Sequence, residues 1–219
     1  MRARDLTAQA NEAAALPWRE PGLRPRSDHV ALFRSRALDL FTRSHPAMPY
    51  VVVLPLALAC ALRALWSGAS ALELLACTAL GWAAWSLLEY AMHRFLFHAE
   101  VKSETARIAL LLAHGHHHVW PDDPRRITAT PIQIGSVALL FHGLFSITLG
   151  PMLGSAALGG ALLGYVAYEL VHWRAHHGRP TSRLGRALQD HHMKHHHLAP
   201  RSRWGIGSPL WDWVFRTGR

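Results

Sequence analysis

Histidine is where this chain can do chemistry. Seventeen of its 219 residues are histidine, and fourteen of these fall in four short clusters. The clusters are His93 and His98; His114, His116, His117 and His118; His172, His176 and His177; and His191, His192, His195, His196 and His197. On a helix, residues three and four apart share a face. That rule aligns His114 with His117 and His118, His172 with His176, and His192 with His195 and His196. His93 and His98 are five apart and diverge by about 140° on an α-helix. That spacing predicts contact with opposite sides of one site or with two different ions. Neutral imidazole is a borderline ligand that suits iron, zinc and copper. These ten imidazoles exceed what one ion can hold and suit two ions with four or five nitrogens each. Ten imidazolium cations packed together would repel, so the set is stable neutral and metal-bound.

The elements that must position these rings are apolar. Half the residues are hydrophobic, yet the net charge is +9 with histidine neutral. Grease and charge are segregated along the chain. Long apolar runs cover 48–66, 71–90, 131–149 and 151–173, each near the ~20 residues that cross ~30 Å of hydrocarbon. They lack the polar face of a helix in a soluble bundle. The fold class expected is therefore all-α and integral to a membrane. Its four transmembrane helices would form two hairpins, linked through Ser67–Ser70 and Gly150–Pro151. Short links make antiparallel neighbours, so both termini and the 40-residue middle loop fall on one side. Arginine agrees: eight precede Met48, the middle loop carries Arg94, Lys102, Arg107, Arg125 and Arg126, and nine Lys or Arg follow Trp173. Positive residues mark the cytoplasmic side. All four clusters then gather in one cytoplasmic, histidine-rich helical cap.

Residues 1–27 are rich in Arg, Pro and Ala and are expected to be poorly ordered. Residues 28–47 are expected to hold an amphipathic helix, with Val30, Phe33, Ala37, Leu38 and Phe41 on one side, lying in the membrane interface or docking without lipid contact. Residues 48–219 form the membrane domain. No cleavable signal peptide is expected. Cys60 and Cys77 sit in apolar runs without a metal-binding or disulfide spacing. The basic charge belongs with a membrane, and no nucleic-acid partner is expected.

The boxes resemble those of the fatty acid hydroxylase superfamily, which includes fatty acid 2-hydroxylases, sterol C4-methyl oxidases and sterol desaturases. The resemblance runs from about Ala83 to Gly218 and is nearest the fatty acid 2-hydroxylase branch. It rests on EYAMHRFLFH (89–98), HGHHHVWPDDPRRI (114–127), YELVHWRAHHG (168–178), and HHMKHHH followed by WGIGSPLWDWVFRTG (191–218). It implies ten ligands: His93, His98, His114, His117, His118, His172, His176, His192, His195 and His196. It also implies a non-haem di-iron centre, with zinc able to replace iron on purification, and hydroxylation of a lipid by O2. Glu89, His116, Asp123, Tyr168, His177, His191, His197 and Asp212 are expected to support the ligands. Three positions depart from the family pattern: His191 where Tyr is common, His197 where an aromatic is common, and Glu169 where Asp is usual. No fused cytochrome b5 domain is seen, so electrons are expected from a separate cytochrome b5- or ferredoxin-like protein.

Breaking an unactivated C–H bond requires a redox metal. The expected reaction is therefore hydroxylation of an acyl chain, of a fatty acid or a ceramide-like lipid. Desaturation uses the same metals and is the nearest rival. A non-catalytic metal carrier would want ligands deep in the membrane, where only His142 lies. A zinc hydrolase would want few ligands and an open water position.

Asp123 and Arg126 are expected to pair, either to pin the middle loop or as a plain surface bridge. Asp212 is expected to accept from a ligand histidine or to serve as a C-terminal anchor. His142 is expected to hydrogen-bond between helices. Glu73 and Arg63 are expected to snorkel.

Overall fold

The computed structural model describes residues 32, 33 and 35–219, and these are helical or irregular, with no strand among them. The expected disordered segment 1–27 lies outside the described residues. The chain divides into two compact units. One comprises Pro46–Leu88 and Ala129–Leu170, and the other comprises residues up to His45 with Glu89–Thr128 and Val171–Arg219.

The first unit is built from the long apolar runs. A π-helical turn at Pro49–Val53 leads into α2 (Leu54–Trp66), and α3 covers Ala71–Ala91. The run Pro131–His177, α6, is interrupted at Gly150, where φ is 77° and ψ is 167°. Only glycine adopts that conformation readily, and Pro151 follows as a good first residue of the next helical stretch. The break therefore falls at the expected Gly150–Pro151 link. The other link turns at Gly68, φ 99°. There Ser70 and Glu73 form a reciprocal cap: Glu73 Oε2 accepts from the Ser70 amide at 2.8 Å and hydroxyl at 2.7 Å. Glu73 thus caps a helix, and Arg63 donates to the Pro151 carbonyl at 3.1 Å.

Most of what this unit buries is small. Ala57, Cys60, Ala64, Ala156, Ala157 and Ala161 line its interior, with Val53, Phe141, Phe145 and Tyr165. Leu56, Leu58, Leu65, Leu72, Leu75, Leu139, Leu140 and Ile147 face outward. Small residues inside and large apolar ones outside is the pattern of helices that pack in lipid. Three helices, Pro49–Trp66, Ala71–Phe97 and Pro131–His177, are long and apolar enough to cross a membrane. The protein is an integral membrane protein. His142 sits on an exposed face of α6, not between helices as expected.

Close approach depends on glycine. A Cβ on Gly81 would collide with the Ala157 carbonyl oxygen, and one on Gly160 with that of Thr78.

The second unit carries all four histidine clusters. Its elements are short: α1 (Arg36–Leu40), α4 (Glu104–Leu110), α5 (His116–Val119), α7 (Arg183–His197) and α8 (Leu210–Val214), with π-helical turns at Met92–Phe97 and Leu111–Gly115. The interfacial helix expected over 28–47 is, among its described residues, helical only at Arg36–Leu40. What that segment buries is polar, Asp39 and Ser44, while Leu40 and Phe41 are exposed. Asp39 accepts from Arg126 Nη2 at 2.7 Å and pairs with Arg43. Arg126 also bridges to Asp123 at 2.9 Å. Both Arg126 and Asp123 are buried, so this is an interior ion network and not a surface bridge.

Replacing Gly160 with Val should cost about 3 kcal/mol or more, because backbone must move to admit the side chain. Gly143→Ala, where a Cβ meets nothing within 4 Å, should leave stability near native. Thermal unfolding in detergent, read by circular dichroism, compares the two. Equal stability of both variants would contradict this packing.

Candidate metal centre

The winding of each segment decides which imidazole reaches which place. Met92–Phe97 is π-helical, and the His98 amide donates to the His93 carbonyl at 3.3 Å. In a π-helix the hydrogen bond joins residues five apart, so His93 and His98 return to one side. The divergence expected for an α-helix does not occur, and their ring centroids are 4.9 Å apart. Leu111–Gly115 winds the same way before α5 begins at His116.

The ten rings form two groups of five. His93, His98, His114, His118 and His195 make the first, and His117, His172, His176, His192 and His196 the second; within each, one nitrogen per ring lies within 4.8 Å of all the others. Neighbours in sequence serve different groups, His117 against His118 and His195 against His196, because adjacent helical residues point about 100° apart. Every ring except His176 is buried.

The nitrogen spacings have a chemical meaning. Nε2 atoms stand 3.1 Å apart for His93 and His114, and 3.0 Å for His114 and His118. In the second group they stand 2.9 Å apart for His117 and His172, 2.8 Å for His176 and His192, and 3.1 Å for His192 and His196. Two nitrogens each about 2.1 Å from one ion and at right angles are about 3.0 Å apart. A neutral imidazole has one N–H, and Nε2 atoms converging on a shared point cannot all be satisfied by one another. The buried Nε2 of His195 has no hydrogen-bond partner among the described residues. Both groups fit a metal ion by donor type, spacing and burial.

Protonation follows the same logic. His114, His117, His118, His192, His195 and His196 are held well below the ordinary imidazole range, first by burial and then by facing imidazoles. Burial also lowers His116.

The expected supporting residues behave unevenly. His116 lies with Nδ1 2.9 Å from the Leu111 carbonyl and Nε2 2.9 Å from that of Arg126, so it ties the second cluster to the buried ion network. His191 meets Asp212 at 3.1 Å. His177 is exposed and packs on Trp173. His197 is half-buried, its ring 5.9 Å from that of His196. Tyr168, in the other unit, packs against Trp85 and Tyr165. Glu169, in that same unit, accepts from the Ala129 amide at 3.1 Å.

Sequence reasoning missed two main-chain carbonyls. Trp204 O lies 2.6 Å from His93 Nδ1, and Ser202 O lies 2.7 Å from His195 Nδ1. Carbonyls carry no residue-type signal. The visible trace was two acidic residues, Glu89 and Asp212, which hold the loop that presents them. Glu89 Oε1 accepts from the Ile206 and Gly207 amides at 2.7 and 2.6 Å. Asp212 accepts from the Trp204 and Gly205 amides at 2.9 and 2.8 Å and from the Thr217 hydroxyl at 2.7 Å. Burial pushes the Asp212 carboxyl up, but His191, Thr217 and these amides together hold it below the usual carboxylate range.

The sequence pattern of the fatty acid hydroxylase family matches residues 78–217, which contain all ten rings. The chain belongs to the fatty acid hydroxylase family. Its relatives include a dihydroceramide fatty acyl 2-hydroxylase of Arabidopsis thaliana, 40% identical over 139 residues, covering 64% of this chain and 59% of the relative. A fatty acid 2-hydroxylase of Homo sapiens is 37% identical over 141 residues, covering 63% and 38%. The chain thus spans about three fifths of the plant relative and less of the human one. A solved structure of full-length scs7p, with only the hydroxylase domain visible, superposes with a TM-score of 0.80 at 26% identity; the match covers 99% of this chain and 93% of that one. This member of the fatty acid hydroxylase family therefore shares the architecture of a hydroxylase domain.

Two outcomes follow from this geometry. His195→Ala should lose the ion of the first group and His196→Ala that of the second, leaving one per chain in each case. Metal analysis of purified protein reads this, and loss of both ions from either variant would contradict two separate groups. Acid should also destabilise the metal-free protein. The unfolded chain takes up protons as pH falls through about 6.5, while the buried rings do not, so the unfolded state binds more protons and stability falls. The melting temperature should drop between pH 7.5 and 5.5; a flat profile would contradict neutral buried imidazoles.

Proposed function

We propose that this protein is an O2-dependent lipid hydroxylase that holds two iron ions, one in each five-nitrogen group, and hydroxylates the acyl chain of a fatty acid or ceramide-like lipid. The observation that carries the reading is the pair of buried all-imidazole groups inside a family whose relatives bear hydroxylase names. Iron supplies the one-electron redox chemistry that O2 needs to attack an unactivated C–H bond.

The chain's own residues do the rest. Nε2 of His93, His114 and His118 converges in the first group and Nε2 of His117, His172, His176, His192 and His196 in the second, so these atoms would hold the ions. Where Nδ1 faces a carbonyl, at His93 and His195, it keeps its proton and leaves the Nε2 lone pair for metal. Ten neutral ligands leave the ions' positive charge uncompensated by protein, which favours anionic oxygen groups at any open position. Burial excludes water and strengthens those contacts. A cavity of about 290 Å³ lined by Arg94, Phe95, Glu100, Arg201, Trp204 and Thr217 reaches His98, and so offers a way to the first group. Electrons are taken from a separate carrier protein.

The reading extends to topology. The break at Gly150 supports four crossings in two hairpins. The basic residues of the N-terminal segment, middle loop and tail support a cytoplasmic site and cytoplasmic termini.

Mass spectrometry of lipids from cells expressing the native chain or His195→Ala tests the assignment. A lipid gaining one oxygen with the native chain alone is the expected result. A loss of two hydrogens would make the protein a desaturase, and identical lipids from both would overturn the reading.

A further inference from the structure

The C-terminal stretch WGIGSPLWDWVFRTG (204–218) has no role in holding metal by its side chains, yet it is folded with unusual care. Three carboxylate or hydroxyl groups organise it. Asp212, 1% exposed, gathers the Trp204 and Gly205 amides, the Thr217 hydroxyl and His191 Nε2. Glu89, from α3, gathers the Ile206 and Gly207 amides. Thr217 Oγ1 lies 3.0 Å from the Tyr90 hydroxyl, and Phe215 stacks on the Tyr90 ring. Four consecutive amides, 204 to 207, are thus clamped by two buried carboxylates.

The product of this clamping is the position of two carbonyls. Trp204 O and Ser202 O face Nδ1 of His93 and His195, and both rings belong to the first group. The Trp204 ring is also set edge-on to three rings of that group, His93, His98 and His195, with centroids 4.9 to 5.6 Å away. Glycine is required at the clamp. A Cβ on Gly205 would meet the Ser208 carbonyl, and one on Gly207 would stand 2.9 Å from Glu89 Oε2. Neither carboxylate makes a hydrogen bond to a ring of the first group; each acts through the loop.

We propose that Glu89 and Asp212 are positioning residues for one metal only, the ion of the first group, which they govern by fixing the Ser202–Gly207 loop whose carbonyls orient His93 and His195. This rests on the two-ion reading above. An outer partner that orients a ligand ring is worth about 10- to 100-fold in metal affinity. Asp212→Asn and Glu89→Gln keep the size of the side chain, but place an amide N–H where main-chain N–H groups now donate or leave a weaker neutral acceptor. The carbonyls would then lose their fixed aim.

The test uses zinc-loaded full-length protein in lipid nanodiscs, with release into excess chelator followed by absorbance. Native protein should release two zinc ions per chain. In Asp212→Asn and in Glu89→Gln, one ion per chain should leave about 10- to 100-fold faster and the other at the native rate. Single-site backgrounds say which. Combined with His196→Ala, which retains the first ion, either substitution should accelerate release. Combined with His195→Ala, which retains the second, it should change nothing. Equal acceleration of both ions would show a general structural role and overturn the proposal, as would native release in both variants. Should Asp212→Asn fail to fold, Glu89→Gln carries the comparison alone. Native protein that binds fewer than two ions would instead overturn the two-ion reading, with the selectivity claim falling along with it.

Discussion

Ten imidazoles packed at touching distance must stay neutral, and the second unit is built around that condition. A charged ring among them would face both the loss of water and its neighbours' repulsion. Neutral rings alone leave nitrogen lone pairs converging at 2.8 to 3.1 Å with too few protons to share. A metal cation in each group would resolve both problems. The ion network of Asp39, Arg126 and Asp123, the main-chain partners of His116 and the clamp of Glu89 and Asp212 all lie outside the rings. Of these, the clamp reaches the rings, through the Trp204 and Ser202 carbonyls that meet His93 and His195.

Backbone winding is the second device. Two π-helical turns fall immediately before or across the first and second clusters. The first brings His93 and His98, five apart, to one side, and such turns are frequent at functional sites. Elsewhere α-helical spacing suffices, and the 100° step between adjacent residues sends His117 and His118, and His195 and His196, to different groups. Two sites are thereby built from one set of short helices.

Much of this was legible in the chain. The apolar runs marked the long helices, and Gly150–Pro151 marked the break, because residue type dictates both. The ten rings that gather are the ten that spacing and resemblance singled out. Three things were not legible. The π-winding at His93–His98 leaves no compositional sign, so an α-helical step predicted divergence. The carbonyls of Ser202 and Trp204 exist at every residue, and only folding selects two. Asp39 lay in a segment whose apolar residues suggested a lipid-facing helix, while its partner Arg126 is 87 residues away, and pairing over that distance has no local signature. Conversely, His177, Tyr168 and His197 drew attention by proximity in sequence, which the turn of a helix does not preserve.

The most direct test of the two-ion account is crystallographic. Protein reconstituted with iron should give two anomalous peaks at the iron edge. Each should lie about 2.1 Å from imidazole nitrogens, one among His93, His98, His114, His118 and His195 and the other among His117, His172, His176, His192 and His196. A single peak shared by both groups, or a peak ligated by a carboxylate such as Glu89 or Asp212, would contradict it.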